Sequence, residues 1–215
     1  STTPNFQAMA RPLPARTARR MNRRREMRSA SIAWPSAAVW TARASLMVRP
    51  CFQQDLETVQ LIYAHHVLTG TGTFEIEPPS LEEITARWSE IVERGWSFLV
   101  ACPTHDLTRV LGFAYARPFR DRAAYAKTFE SSVYIAPTSQ RQGVGQALMA
   151  DLLATLRTDG VREVLAVIGD SENAASIGLH AKVGFTHVGV LKGVGEKFGR
   201  TLDVVLMQRR LAPKS

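Results

Sequence analysis

The stretch Gln140-Arg141-Gln142-Gly143-Val144-Gly145-Gln146-Ala147 lies between a strand-like segment and a segment with helical periodicity. Its glycines allow the backbone to turn sharply, so that successive N–H groups point into one concavity, where the dipole of the following helix adds positive potential. Such a loop can hold a pyrophosphate, although it has neither the Gly-Lys-Ser/Thr of a Walker A loop nor a GxGxxG fingerprint. Taken alone, the pattern also suits a loop that only caps a helix.

The segments around this loop alternate between strand-like and helix-like patterns. Apolar residues recur at helical spacing over about 143–158. Ser80 and Glu83 predict a capping box, while Asp55 and Asn173 are expected to cap two further helices. Strands are predicted over 48–52, 97–101, 110–115, 131–135, 163–168, 185–191 and 202–209. This order of elements indicates an α/β sheet of mixed direction with helices on its faces.

The net charge of +8 is concentrated at one end of the chain. Residues 1–46 contain nine arginines and one glutamate, which leaves 18 basic and 18 acidic side chains in the other 169 residues. We expect 1–46 to be a basic, disordered extension, because it has no sustained periodicity to support a core. Three interpretations are open for this extension. It is upstream sequence outside the working protein, which would then start at Met47, or a targeting peptide, or a nucleic-acid-binding arm. The predicted enzyme domain is 47–215.

Composition excludes several classes of protein. No apolar run approaches the ~18 residues of a membrane-spanning helix, so we expect a soluble, cytoplasmic protein without a membrane partner. The two cysteines, Cys51 and Cys102, form no CxxC and exclude a disulfide framework and a cysteine-based zinc site. The histidines show no ligand spacing with acids or cysteines, so no metal is assigned.

Several stretches in the same order resemble the GNAT acetyltransferases. Gln140, Gly143 and Gly145 match the acetyl-coenzyme A loop of that family, and Phe129-Glu130-Ser131-Ser132-Val133-Tyr134-Ile135-Ala136-Pro137 is similar to a strand of its phosphinothricin and methionine sulfone N-acetyltransferase branch. Further similar stretches are 166–169, 173–180, 184–185, 194–200 and 203–208. The resemblance spans about 47–211 and implies the GNAT acyl-CoA N-acyltransferase fold, a mixed, mostly antiparallel α/β (α+β) sheet with helices on both faces.

The resemblance also implies an acetyl-CoA co-substrate and residues that hold it. The backbone N–H groups of Val133, Tyr134 and Ile135 would polarise the thioester, and Asn173 would reach the pantetheine arm, unless it is only a helix cap. The residues implied at the pyrophosphate are Arg141, Gln142, Gly143, Val144, Gly145 and Gln146.

Two residues are candidates for proton transfer. Glu130 occupies the place of the branch's general base, since a carboxylate can accept the proton of an ammonium group; otherwise it is a solvated acid at a strand end. His180 stands where many GNAT enzymes have a tyrosine as general acid, and a packed structural histidine is the alternative.

Substrate recognition is predicted from two loops. Phe74 would form an aromatic wall, and the loop that contains Arg120 would contribute Arg122, Ala123, Ala124 and Tyr125, because arginine suits a carboxylate, phosphinate or sulfone group. A solvated basic loop is the alternative for Arg120. The branch usually has an aromatic residue where this chain has Thr201, which bears on the pocket or the subunit contact.

The resemblance predicts direct transfer of acetyl to the α-amine of a small amphoteric substrate of the phosphinothricin, methionine sulfone or sulfoximine type, by a homodimer. One alternative is a GNAT enzyme that acts on a protein N-terminus, a polyamine or another amine. The other is a non-catalytic GNAT fold with a nucleic-acid-binding arm, which the retained Glu130 and the complete cofactor loop disfavour.

Overall fold

A computed structural model describes residues 46–211, so the predictions about the extension fall outside it, apart from residue 46. Residues 46–211 form seven strands and four α-helices. In chain order they are β1 (Leu46–Pro50), α1 (Leu56–Thr69), α2 (Leu81–Glu93), β2 (Phe98–Pro103), β3 (Gly112–Pro118), β4 (Thr128–Ile135), α3 (Val144–Thr158), β5 (Glu163–Gly169), α4 (Ala174–Lys182), β6 (Thr186–Lys197) and β7 (Arg200–Arg210). No helix within 46–211 combines the length and the apolar character that crossing a membrane requires.

The strands form a single sheet in the order β1-β2-β3-β4-β5-β7-β6. All neighbouring pairs are antiparallel except β4 and β5, which are parallel. Side chains alternate between the two faces of each strand. On one face Phe98, Val100 and Phe113 pack in the same core as residues of α1 and α2, and on the other Val164 and Ala166 pack with α3. The sheet is therefore mixed, mostly antiparallel and covered on both faces, as predicted.

Two of the three predicted helix caps are present. The Ser80 hydroxyl accepts from the Glu83 N–H at 3.1 Å, while the Glu83 carboxylate accepts from the Ser80 N–H at 2.7 Å. Asn173 accepts from the Ser176 N–H at 3.1 Å. Asp55 does not cap α1: its carboxylate is bound by the Arg49 guanidinium at 2.7 and 2.8 Å and by the Phe52 N–H.

The last two strands are longer than predicted. The sequence pattern indicates a strand over 185–191, whereas β6 continues to Lys197. The pairing of β6 with β7 shifts register between His187 and Gly189 and again between Leu191 and Gly195. Each shift interrupts the alternation of apolar and polar residues, which is the signal that sequence-based prediction of strands depends on.

Candidate active site

The strands β4 and β5 diverge halfway along the sheet. They pair only from Thr128↔Glu163 to Glu130↔Leu165, after which β4 continues beside β3 and β5 beside β7. The divergence leaves an open wedge, which we call the splay. The Ala136 N–H donates to the carbonyl of Leu111, the residue before β3. Because the backbone groups of successive residues in a strand point to opposite neighbours, those of Tyr134 also face β3. The backbone groups of Val133 and Ile135 face the splay. The Tyr134 N–H, which was predicted to act with theirs on the thioester, is instead directed to β3.

His66 on α1 contacts the splay and was not anticipated from the sequence. Its Nε2 lies 2.9 Å from the carbonyl oxygen of Ile135, which has no partner on β5. Burial lowers the pKa of His66 and outweighs the opposite effect of this hydrogen bond, so the neutral ring donates from Nε2. His66 and Ile135 are 69 residues apart, and no local pattern indicates their contact.

The predicted pyrophosphate loop precedes α3 and is exposed from Gln140 to Gly143. Gly143 has φ +83° and a Cβ at this position would meet nothing within 4 Å, so glycine is needed here for its backbone conformation. Gly145 has a different role: a Cβ would lie 3.0 Å from Leu179, so this glycine allows α3 and α4 to pack closely. The loop therefore presents Arg141 and the N–H groups of the first turn of α3 to solvent.

A cavity of about 890 Å³ lies on the sheet face beside α1 and α2, and we call it the acceptor cavity. Glu130, Ser132 and Tyr134 line it from β4, and Phe74 lines it from the loop after α1. Because side chains alternate along β4, Glu130 faces this cavity while Phe129 and Val133 pack in the core on the opposite face. The structure thus places the predicted base and the predicted aromatic wall in one cavity.

The basic loop contributes to the cavity through other residues than those predicted. Residues 123–125 form an exposed 3-10 turn, and Arg122, Ala123, Ala124 and Tyr125 are not among the lining residues. The lining instead includes Arg117, Pro118, Phe119, Arg120 and Asp121. The difference arises because β3 continues to Pro118 and the chain follows the cavity only over its next three residues.

The cavity is rich in paired charges. Arg87 on α2 binds Glu75 with its two nitrogens at 2.7 and 3.4 Å, and both side chains line the cavity. Arg94, Arg117 and Arg120 are further cations in the lining. No local pattern singles out Arg87, because α2 resembles any amphipathic helix with a charged outer face.

His180 does not have the geometry of a general acid. It is 3% exposed, packs edge-on against Phe185 and is not among the cavity-lining residues. Its Nδ1 lies 2.8 Å from the carbonyl oxygen of Ser176, which can only accept, so Nδ1 carries the proton. Burial lowers the pKa of His180, and Nε2, which has no hydrogen-bond partner among residues 46–211, is therefore a lone-pair acceptor. The structure favours the packed structural histidine over the predicted acid.

Asn173 combines its cap with a contact to the loop after α1. Its side-chain nitrogen donates to the carbonyl of Gly169 at 3.5 Å. The same nitrogen packs against Gly72, where an added Cβ would lie only 3.1 Å from it. The cap is confirmed, and the contact with pantetheine stays a prediction. Within residues 46–211, no three His, Cys, Asp or Glu side chains are arranged to hold a metal ion.

The splay, the glycine loop before α3 and the adjoining cavity are the features of an acetyltransferase. Residues 60–185 match the model of the acetyltransferase (GNAT) family, so the chain belongs to that family. It is 48% identical to phosphinothricin N-acetyltransferase from Alcaligenes faecalis over 170 residues, which cover 79% of this chain and 85% of that protein. It is 34% identical to L-methionine sulfoximine/L-methionine sulfone acetyltransferase from Pseudomonas aeruginosa, over 79% and 96% of the two chains.

Solved structures agree with this assignment. A phosphinothricin acetyltransferase from Sinorhizobium meliloti in complex with AcCoA has a TM-score of 0.74 and 37% identity, over 77% of this chain and 88% of that one. A Salmonella typhimurium acetyltransferase solved with acetyl-CoA has a TM-score of 0.74 and 30% identity, over 79% and 96%. The predicted family, branch and GNAT fold are confirmed.

Proposed function

We propose that this chain transfers acetyl from acetyl-CoA to the α-amine of a small amino-acid-like substrate of the phosphinothricin, methionine sulfone or methionine sulfoximine type. The observation that supports this most is the position of β4, whose Glu130 faces the acceptor cavity while the backbone of Val133 and Ile135 faces the splay. One strand therefore serves both substrates. The curated relatives named above act on compounds of this type according to their names.

The residues present fit acetyl-CoA. The N–H groups of Val133 and Ile135 and the carbonyl of Val133 are directed into the splay, where the amides of a pantetheine arm can pair with them as an added strand would. Gly143 and the N-terminus of α3, together with the exposed Arg141, suit a pyrophosphate. Asn173 contacts Gly169 at the carboxyl end of β5, the strand that borders the splay.

The chemistry needs a base and a polarised carbonyl. Glu130 accepts a proton from the substrate ammonium, directly or through water, and the freed amine attacks the thioester carbon. The N–H groups directed into the splay stabilise the negative charge that develops on the carbonyl oxygen. The nitrogen then loses its second proton to water as the C–S bond breaks, and the thiolate takes a proton from water, because His180 presents an acceptor and not a donor.

Acceptor recognition uses the arginines and the aromatic wall. Arg117 and Arg120 at one side of the cavity can bind a carboxylate, phosphinate or sulfone oxygen through paired N–H donors. Arg87 is already bound to Glu75, so it contributes less free donor capacity. Phe74 covers the apolar part of the substrate side chain.

Thiol release from acetyl-CoA over a panel of amines tests this function. We expect turnover with methionine sulfone and phosphinothricin, and much slower turnover with a polyamine or with a peptide that has an N-terminal alanine. Neither competitor carries, beside its reacting amine, the carboxylate, phosphinate or sulfone group that Arg117 and Arg120 are proposed to bind, which is the physical reason for the order. A panel in which the polyamine or the peptide is the best acceptor would overturn the assignment.

A homodimer is part of the proposal. The strand β6 is an edge of the sheet, and it exposes Val188 at 57%, Leu191 at 48% and Val194 at 55%. A long edge strand with an apolar surface favours pairing with a second copy.

Charges on this edge are expected to separate the subunits. Val188→Glu with Val194→Glu should give a monomer in sedimentation velocity, because like charges would meet across a two-fold interface. Leu107→Glu, which charges another exposed apolar residue in the β2–β3 loop, 41% exposed, should leave the dimer intact. A monomeric parent protein, or a double variant that remains dimeric, would contradict the proposal.

A further inference from the structure

The loop 71–74, between α1 and α2, is held by hydrogen bonds from three elements. The Thr71 hydroxyl donates to the Asp170 carboxylate at 2.7 Å, and the Thr73 hydroxyl lies 3.1 Å from that of Tyr63. The Thr73 carbonyl accepts from the ammonium of Lys197, which is 3% exposed, at 2.8 Å. The backbone that leads into residue 74 is therefore fixed from α1, from β6 and from Asp170, which follows β5.

The ring of Phe74 fits between two glycines. A Cβ on Gly195 would lie 2.1, 2.6 and 2.7 Å from three of its ring atoms, far inside ordinary contact distance. A Cβ on Gly169 would lie 2.9 Å from another ring atom and 2.5 Å from the carbonyl oxygen of Thr71. Gly195 is on β6 and Gly169 ends β5. The ring occupies the volume that these two side chains would otherwise fill.

We propose that Gly195, together with Gly169, determines acceptor specificity: the room that they leave for the Phe74 ring sets how large a substrate side chain the acceptor cavity admits. The inference rests on the proposed function and deepens it. Gly195 is not itself among the residues that line the cavity, whereas Phe74, Thr73 and Gly169 are. It is therefore a positioning residue that acts through Phe74.

The direction of the effect follows from the surroundings of the ring. A methyl group at Gly195 requires the ring to move by at least 1.3 Å to reach a contact of 3.4 Å from the present 2.1 Å. Gly169 and the Thr71 carbonyl close one side of the ring. The hydrogen bonds at Thr71 and Thr73 prevent the loop backbone from moving with the ring. The remaining free volume is the cavity, so the ring enters the space of the substrate side chain.

The test compares methionine sulfone with ethionine sulfone, which is one methylene longer. Such a group changes discrimination in a hydrophobic pocket by about 10-fold to 200-fold. We expect Gly195→Ala to raise the ratio of kcat/KM for methionine sulfone over ethionine sulfone by about 10-fold or more. Phe74→Leu should lower the same ratio, because a smaller side chain enlarges the cavity. The KM for acetyl-CoA should stay within about twofold for both variants, which is well below this effect.

Two further variants keep the test decisive. Gly189→Ala lies on the same strand where a Cβ would meet nothing within 4 Å, and it should leave the ratio unchanged. The double variant Gly195→Ala with Phe74→Leu removes the clash, so it should recover folding and much of the activity if the single variant loses them. Equal ratios for Gly195→Ala and Gly189→Ala, or no recovery by the double variant, would overturn the inference. Failure of the proposed function appears separately, as a parent enzyme that acetylates neither sulfone.

Discussion

Glu130→Gln is expected to lower kcat at pH 7 by about 10²-fold to 10⁴-fold, the usual contribution of a general base. The amide is close in size to the carboxylate, but it cannot accept the proton of the substrate ammonium. The loss should become smaller as the pH rises, because the free amine is then supplied by solution. Steady-state rates of thiol release between pH 6.5 and 9.5, together with the KM for acetyl-CoA, measure both features.

The matched control for Glu130 is Glu57→Gln, at an exposed glutamate in the first turn of α1. It removes the same charge at a residue that does not line the cavity and should leave the pH profile unchanged. Activity of Glu130→Gln equal to that of the parent at pH 7 would show that the base lies elsewhere.

The second large effect is expected on stability. Asp55 is 3% exposed and is bound by the guanidinium of Arg49 and by the N–H of Phe52. These hydrogen bonds join β1 to the start of α1. Asp55→Ala leaves the Arg49 charge without its carboxylate, and removing one member of a buried ion pair costs about 3–5 kcal/mol of the free energy of unfolding. Urea denaturation at pH 7 measures this loss.

The control for this stability effect is Glu90→Ala, which breaks an exposed i,i+4 pair with Arg94 and should cost about 1 kcal/mol or less. Equal losses for the two variants would contradict the account of Asp55.

The contribution of Asp55 to the free energy of unfolding depends on pH with a defined sign. Burial raises the pKa of Asp55, but the hydrogen bonds from Arg49 and Phe52 outweigh it, so the pKa lies below its usual value. The contribution is complete above the unfolded pKa of about 3.9 and is lost as the pH falls through the folded pKa.

Local patterns predicted the parts of the fold that depend on neighbouring residues. The Ser80–Glu83 capping box needs only a hydroxyl and a carboxylate three residues apart, and Gly143 needs only a turn before a helix. Asp55 was expected to cap α1 for the same kind of reason. It binds Arg49 instead, because β1 brings a cation beside it that the local pattern does not show.

The parts of the site that the sequence could not predict depend on contacts between distant segments. His66 contacts Ile135 only because β5 diverges from β4 and leaves that carbonyl open. Arg122 was expected in the cavity, whereas Arg117 lines it. The sequence of the basic loop does not indicate that β3 continues to Pro118. The role of Gly195 depends on a ring more than 100 residues earlier in the chain. The family resemblance located the motifs, and the structure showed which side chains reach the cavity.

The most direct test of the central claim is the rate of acetyl-CoA consumption with and without methionine sulfone, combined with NMR identification of the acetylated atom. We expect consumption that depends on the amine and saturates with it, and a product acetylated on the α-nitrogen. Acetyl-CoA consumption that neither methionine sulfone nor phosphinothricin accelerates would contradict the account.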